Sequence, residues 1–214
     1  MTWFLDHVGQ VLTLFLTHIR LAVIPLVIGM ILALPLGWVA RRFPLAYPPI
    51  ITVTGLLYTI PSLALFVLMP LILGTGILSD TNIIVALSLY TVALLTRTVA
   101  DGLAAVPDQV VQAATAMGIG PLRRFFTVEL PLAVPVISAG LRVAAVSNVS
   151  IVSVAALLGI AQLGSLFTDG FARQFVDPIV VGIIACLLLA VLLDLLIIAL
   201  TWVATPWLHG RRAA

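Results

Sequence analysis

The side chains able to do chemistry in this chain are few. Its 214 residues hold ten Arg but no Lys, seven Asp, one Glu, three His and one Cys. Without Lys there is no amine for a Schiff base and no P-loop cation for nucleotide phosphates, so any nucleotide is bound by another chain. Cys186, alone in an apolar run, can form neither an internal disulfide nor a thiolate metal cluster. His7, His18 and His209 lie at or near the ends, and no HExxH or GxGD sequence occurs. The many serines therefore lack the buried base or metal of an intramembrane hydrolase. No catalytic residue, metal ligand or cofactor of the chain's own is expected.

What remains are polar groups set in apolar sequence. Arg97, Arg142 and Asp194 are ionisable residues within or beside apolar stretches. A charge at a bilayer centre costs at least about 2.5–3.5 kcal/mol, so the reading is a structural ion pair, Asp194 with Arg142 or Arg97, rather than a proton relay. Ser147, Ser150 and Ser153 recur every third residue and drift slowly round a helix, with Asn148 at the edge of the stripe. Such a neutral stripe either lines a path for a solute without net charge or packs helices together. Tyr58, Thr59 and Ser62 flank Pro61, whose missing N–H and ring clash should kink a helix and free carbonyls near Leu57. Tyr58 or Tyr90 then offers an aromatic face to a quaternary ammonium, or simply packs.

The elements that must carry these groups are membrane helices. Hydrophobic residues make up 63% of the chain and charged ones 8%, against about 45–50% and 25% in soluble domains. A chain this small cannot hide that much apolar surface within itself, which excludes a soluble globular protein. A crossing takes roughly 20 apolar residues, and five stretches qualify: Leu21–Ala40, Pro49–Leu73, Asn82–Ala100, Pro131 to Ile160, and Pro178–Ala204. Residues 1–19 place Phe4, Val8, Val11, Leu12, Phe15 and Ile19 at helical spacing, which predicts an interfacial helix. A signal peptide is disfavoured because Asp6 stands where a basic segment should. With five crossings, Arg41, Arg42, Arg123, Arg124, Arg211 and Arg212 share one side. The excess of Arg makes that side cytoplasmic, with the N-terminus outside and the C-terminus inside. The net charge of +2 reflects this asymmetry and not a nucleic-acid surface. No internal repeat is evident, so residues 1–214 form one membrane domain.

The polar stretch 101–130 is the cytoplasmic loop. Within it, Pro107 and Asp108 open a short helix that exposes Ala113, Ala114 and Ala116 and ends at Gly118. A second helix starts at Gly120-Pro121 and is closed by Pro131. Gln112-Ala113-Ala114, then Gly118, then Val128-Glu129-Leu130-Pro131 resembles the EAA motif of ABC importer permeases, with Gln112 in place of the usual Glu and Val128 in place of Ile. Tyr58 to Ala64 and Gly159 to Gly164 resemble stretches of the permeases for glycine betaine, carnitine and choline, and the likeness extends from about His18 to Leu208.

This resemblance implies an all-α polytopic membrane protein: a five-helix permease core, here with an added N-terminal interfacial helix. It implies a multi-pass subunit of a bacterial or archaeal cytoplasmic membrane, surrounded by lipid; the charge distribution already argues for no nucleic-acid partner. Its implied partners are a second permease subunit, homologous or identical, a dimer of cytoplasmic ATPases holding ATP and Mg, and an extracytoplasmic solute-binding protein. Gln112, Ala113, Ala114, Gly118, Val128, Leu130 and Pro131 would be the ATPase-coupling residues. Tyr58, Thr59, Pro61, Ser62, Ser147, Asn148, Ser150 and Ser153 would lie on the translocation path. The alternative is an ion-coupled secondary transporter, which commonly shows inverted repeats with broken helices at matching positions.

Overall fold

The computed structural model describes residues 2–208; Arg211, Arg212 and His209 lie outside them. A five-residue helix, α1 (Thr2–Asp6), leads into α2 (Val8–Arg42). The interfacial helix anticipated for residues 1–19 is not a separate element, because α2 runs unbroken through Ile19, Arg20 and Leu21. No Gly or Pro interrupts the chain there, and Arg is a good helix former. At 1.5 Å per residue its 35 residues span about 52 Å. This exceeds a hydrocarbon core of about 30 Å.

The second expected crossing is a broken one. Helix α3 (Tyr47–Thr59) and α4 (Ser62–Leu73) meet at 102° across Ile60 and Pro61. Pro61 forces its predecessor out of the helical region, and Ile60 has φ −65° and ψ 130°. Helix α5 (Asp80–Ala104) is the centre of the bundle, with 67% of its apolar stretch buried. It packs on α2, α3, α4 and α8. Small residues permit the closest approaches: a Cβ added at Gly37 of α2 would stand 2.6 Å from Val99 Cβ and Cγ1. Gly29 faces Thr91 in the same way, and Gly140 faces Thr98. Leu21, Ile83, Leu87, Leu95 and Val152 are fully buried around this axis.

Beyond α5 the chain forms α6 (Asp108–Ala116) and α7 (Pro121–Arg124), then a single π turn (Phe125–Glu129) that passes directly into α8 (Leu130–Val154). The helix expected to close at Pro131 therefore continues. Pro131 stands directly after the π turn, one residue into α8. A 3₁₀ turn (Ala155–Leu158) and α9 (Ser165–Ala172) follow, so the glycine-punctuated connection contains a helix, and it packs on α10 (Val176–Ala204). In α10 only 11% of the apolar stretch is buried. Its outward Leu, Ile and Val side chains need lipid or another subunit around them.

Candidate functional site

At one end of the bundle α6 stands largely exposed. Gln112 and Ala113 are exposed, whereas Ala114, expected on the same open face, is 2% exposed. Gly118 takes φ +76°, the left-handed conformation that a side chain disfavours. There its N–H donates to Thr115 O at 2.9 Å, and the next N–H, of Ile119, donates to Ala114 O at 3.1 Å. These bonds satisfy the last carbonyls of α6 and turn the chain toward α7. Val128, Leu130 and Pro131 are half-buried, and Leu130 packs against the core at the foot of α8.

Three ionic contacts at this end use residues that the sequence reading did not pair. Arg41 lies 3.6 Å from Asp108, and Arg97 lies 3.6 Å from Asp101, one turn away on its own helix. Arg124 reaches both Glu129 Oε1 and Thr115 Oγ1 at 2.6 Å. Positions 124 and 129 are not neighbours on an α-helix, so helical spacing gives no hint of that pair.

The polar groups of the helices divide into two sets. Tyr58, Thr59 and Pro61 are exposed and Ser62 is half-buried, so the break between α3 and α4 presents an open polar edge. Its carbonyls are partly taken: Tyr90 donates its hydroxyl to Ile60 O, Thr59 donates to Leu56 O, and Ile60 N–H donates to Leu57 O. The Tyr58 and Tyr90 rings meet edge to face at 5.7 Å. On α8, Ser150 is exposed and Ser147 half-buried. Asn148, placed on the path by the stripe reading, is instead 2% exposed and serves as helix glue. Its amide donates to Ala22 O on α2 at 3.2 Å and to Thr91 Oγ1 on α5 at 3.1 Å. Ser153 also turns to its surroundings, donating to Val149 O and touching Cys186 Sγ at 3.9 Å.

Arg142 and Asp194 are brought together across α8 and α10. The guanidinium donates from Nε and Nη2 to the two carboxylate oxygens at 2.6 and 2.9 Å. Arg97 takes no part, being held on α5 by its contact with Asp101. A second inter-helix junction was not foreseen. His18, fully buried on α2, sets its ring nitrogens 3.0 Å from Gln162 Oε1 and from Val149 O, and Gln162 Nε2 donates to Ser153 O at 3.3 Å. The distance of His18 from position 162 along the chain leaves no sequence signal for it.

Comparison with known proteins agrees with this architecture. The chain is 32% identical over 207 residues to the osmoprotectant import permease protein OsmW of Salmonella typhimurium, covering 95% of this chain and 96% of that one. It is 30% identical over 195 residues to the glycine betaine/carnitine/choline transport system permease protein OpuCD of Bacillus subtilis, covering 91% and 84%. A solved inward-facing structure of the MetNI methionine ABC transporter superposes with a TM-score of 0.85 at 18% identity, covering 94% of this chain and 98% of that one, which shows a shared fold. Residues 26–201 match the family of binding-protein-dependent transport system inner membrane components, and the chain belongs to that family.

Proposed function

We propose that this chain is the permease subunit of an ATP-driven importer of small osmoprotectants of the glycine betaine, carnitine and choline type. It pairs with a second permease, homologous or identical, and has no chemistry of its own. A pair of cytoplasmic ATPases hydrolyses ATP with Mg, and an extracytoplasmic binding protein delivers solute. The N-terminus lies outside and the C-terminus in the cytoplasm, so that α6 faces the ATPase. The observation that carries this reading is the short exposed helix α6, ended by the left-handed Gly118 and seated where the Gln112-Ala113-Ala114 motif falls. Small residues there let an ATPase groove approach the helix closely. On the path itself the exposed Tyr58, Thr59, Pro61 and Ser62 and the outward Ser147 and Ser150 provide neutral polar contacts that do not trap a zwitterion. Tyr58 adds an aromatic face for a quaternary ammonium.

The test is Gly118→Asp. An added Cβ at Gly118 meets nothing within 4 Å, so packing is undisturbed while the turn is strained and a negative charge enters the docking face. The variant should insert normally yet lose the co-purifying ATPase or the uptake of radiolabelled glycine betaine. Unchanged uptake with stoichiometric ATPase bound would refute the coupling role of α6.

A further inference from the structure

Between α7 and α8 the chain makes one π turn, in which Leu130 N–H donates to Phe125 O five residues back. On an α-helix residues five apart diverge by about 140° around the axis, at roughly 100° per residue. Arg124 and Glu129 would then face different sides. The wider turn brings them together, with Arg124 Nε donating to Glu129 Oε1 at 2.6 Å. Both side chains are shielded, at 13% and 12% exposed. The other arm of the same guanidinium, Nη1, donates to Thr115 Oγ1 at 2.6 Å, on the last turn of α6. Thr115 donates onward to Val111 O at 2.7 Å, which fixes its rotamer. A guanidinium is a planar, rigid fork, so these two bonds hold the end of α6 at a set distance from the foot of α8.

Besides this strut, α6 is attached by Val111, which packs against the core, and by softer links. Arg41 and Asp108 stand 3.6 Å apart with side chains 44% and 78% exposed, a contact of little strength in water. The covalent link from Met117 to Gly120 contains two glycines. Helix α8, by contrast, is tied to the rest of the bundle, through Asn148 to α2 and α5 and through Arg142 to α10. A displacement of α6 that reaches α8 therefore reaches every long helix.

We infer that Arg124 is a positioning residue for energy coupling: held by the π turn against Glu129, it transmits movement of α6 into α8 through its bond to Thr115. This rests on α6 being the ATPase-docking helix. The single Glu of the chain and the single π turn among the described residues then share one purpose, a strut between the docking helix and a transmembrane span.

The experiment compares Arg124→Gln, Arg124→Lys, Thr115→Val and the double variant Arg124→Gln/Thr115→Val in the complete transporter, reconstituted with its ATPase and binding protein. Bound ATPase, ATP hydrolysis and radiolabelled glycine betaine uptake are measured together. Arg124→Gln should keep the ATPase bound and hydrolysing while uptake per ATP falls about tenfold, the scale of one charge-assisted hydrogen bond. Arg124→Lys, a point charge without the fork, and Thr115→Val should fall between it and the wild type. The double variant should be no worse than Arg124→Gln, because both changes break one strut. A role in folding alone would lower bound ATPase, hydrolysis and uptake in step. Uptake per ATP at the wild-type level in Arg124→Gln, a parallel loss of all three quantities, or additive losses in the double variant would each overturn the strut while leaving α6 as the docking helix. Normal transport and ATPase binding in Gly118→Asp would overturn both.

Discussion

Replacing Gly37 by Ala tests whether the α2–α5 contact governs the stability of the bundle. The new Cβ would lie 2.6 Å from Val99 Cβ and Cγ1 and 3.0 Å from the Thr96 carbonyl. The first distance is 0.8 Å inside the 3.4 Å edge of ordinary contact. Neither neighbour can step aside, since Val99 is fully buried and the carbonyl belongs to helix backbone. The two helices must therefore separate or tilt. Overpacking of this kind costs about 1–3 kcal/mol, and Ala returns about 1 kcal/mol of helix propensity relative to Gly. The net is a destabilisation of up to about 2 kcal/mol, toward that upper end because one of the contacts is to rigid backbone. Gly55→Ala on α3 is the matched control, because nothing lies within 4 Å of its added Cβ. It should gain about 0.5–1 kcal/mol from propensity alone. Unfolding in mixed micelles by added sodium dodecyl sulfate, followed by far-ultraviolet circular dichroism, would read the difference between the two variants. If Gly37→Ala unfolded at or above the midpoint of Gly55→Ala, close packing at position 37 could not be what joins α2 to α5. Adding Val99→Ala should recover part of the loss, as it removes Cγ1 but leaves the offending Cβ.

Asp194→Asn should lower the yield of folded protein by unpairing Arg142, while the protein that folds keeps the pH profile of wild-type uptake; a normal yield with proton-dependent uptake abolished would make the residue a proton carrier instead. Ser150→Leu should leave ATPase association intact and reduce glycine betaine uptake, and full uptake would assign that exposed face of α8 to packing or lipid. Gln162→Leu strands the Gly164 N–H, which the Gln side chain accepts at 2.5 Å, and leaves one nitrogen of His18 unpaired. Each buried orphan costs about 1–3 kcal/mol, so a shift in unfolding free energy below about 1 kcal/mol would mean that water or a neighbour replaces the amide.

The long apolar runs made the crossings legible because hydropathy sums over some twenty residues. Pro61 and Gly118 were legible for a different reason, since each imposes its own backbone geometry. Residues 1–19 misled because amphipathic spacing describes a helix lying on a surface as well as one packing its end on a bundle. Only the absence of a breaker near Arg20 distinguishes them. Asn148 shows a similar limit. Its place one residue from Ser147 put it at the edge of the serine stripe, but 100° of rotation is enough to carry it from an open face to the contact with Ala22 and Thr91. The Arg124–Glu129 and His18–Gln162 contacts were invisible, the first because it depends on a local change of helical pitch and the second because it joins helices far apart in the chain.

Helix α10 bears on how such a chain is made. Its 29 residues carry Asp177 near the start and Asp194 as their only acidic side chains, with no basic one, and most of its surface faces outward. A segment that apolar enters a bilayer without help from its neighbours, so insertion and docking are separate events for this last span. What separates the docked state from one merely dissolved in lipid is a short set of marks. Gly182 fits against Phe167 of α9, and Asp194 finds Arg142 a little over three turns further along. Until that meeting occurs, Arg142 stays on α8 without its carboxylate, a charge that is costly near hydrocarbon. The ion pair therefore forms only when the final helix has arrived in the matching rotation and depth.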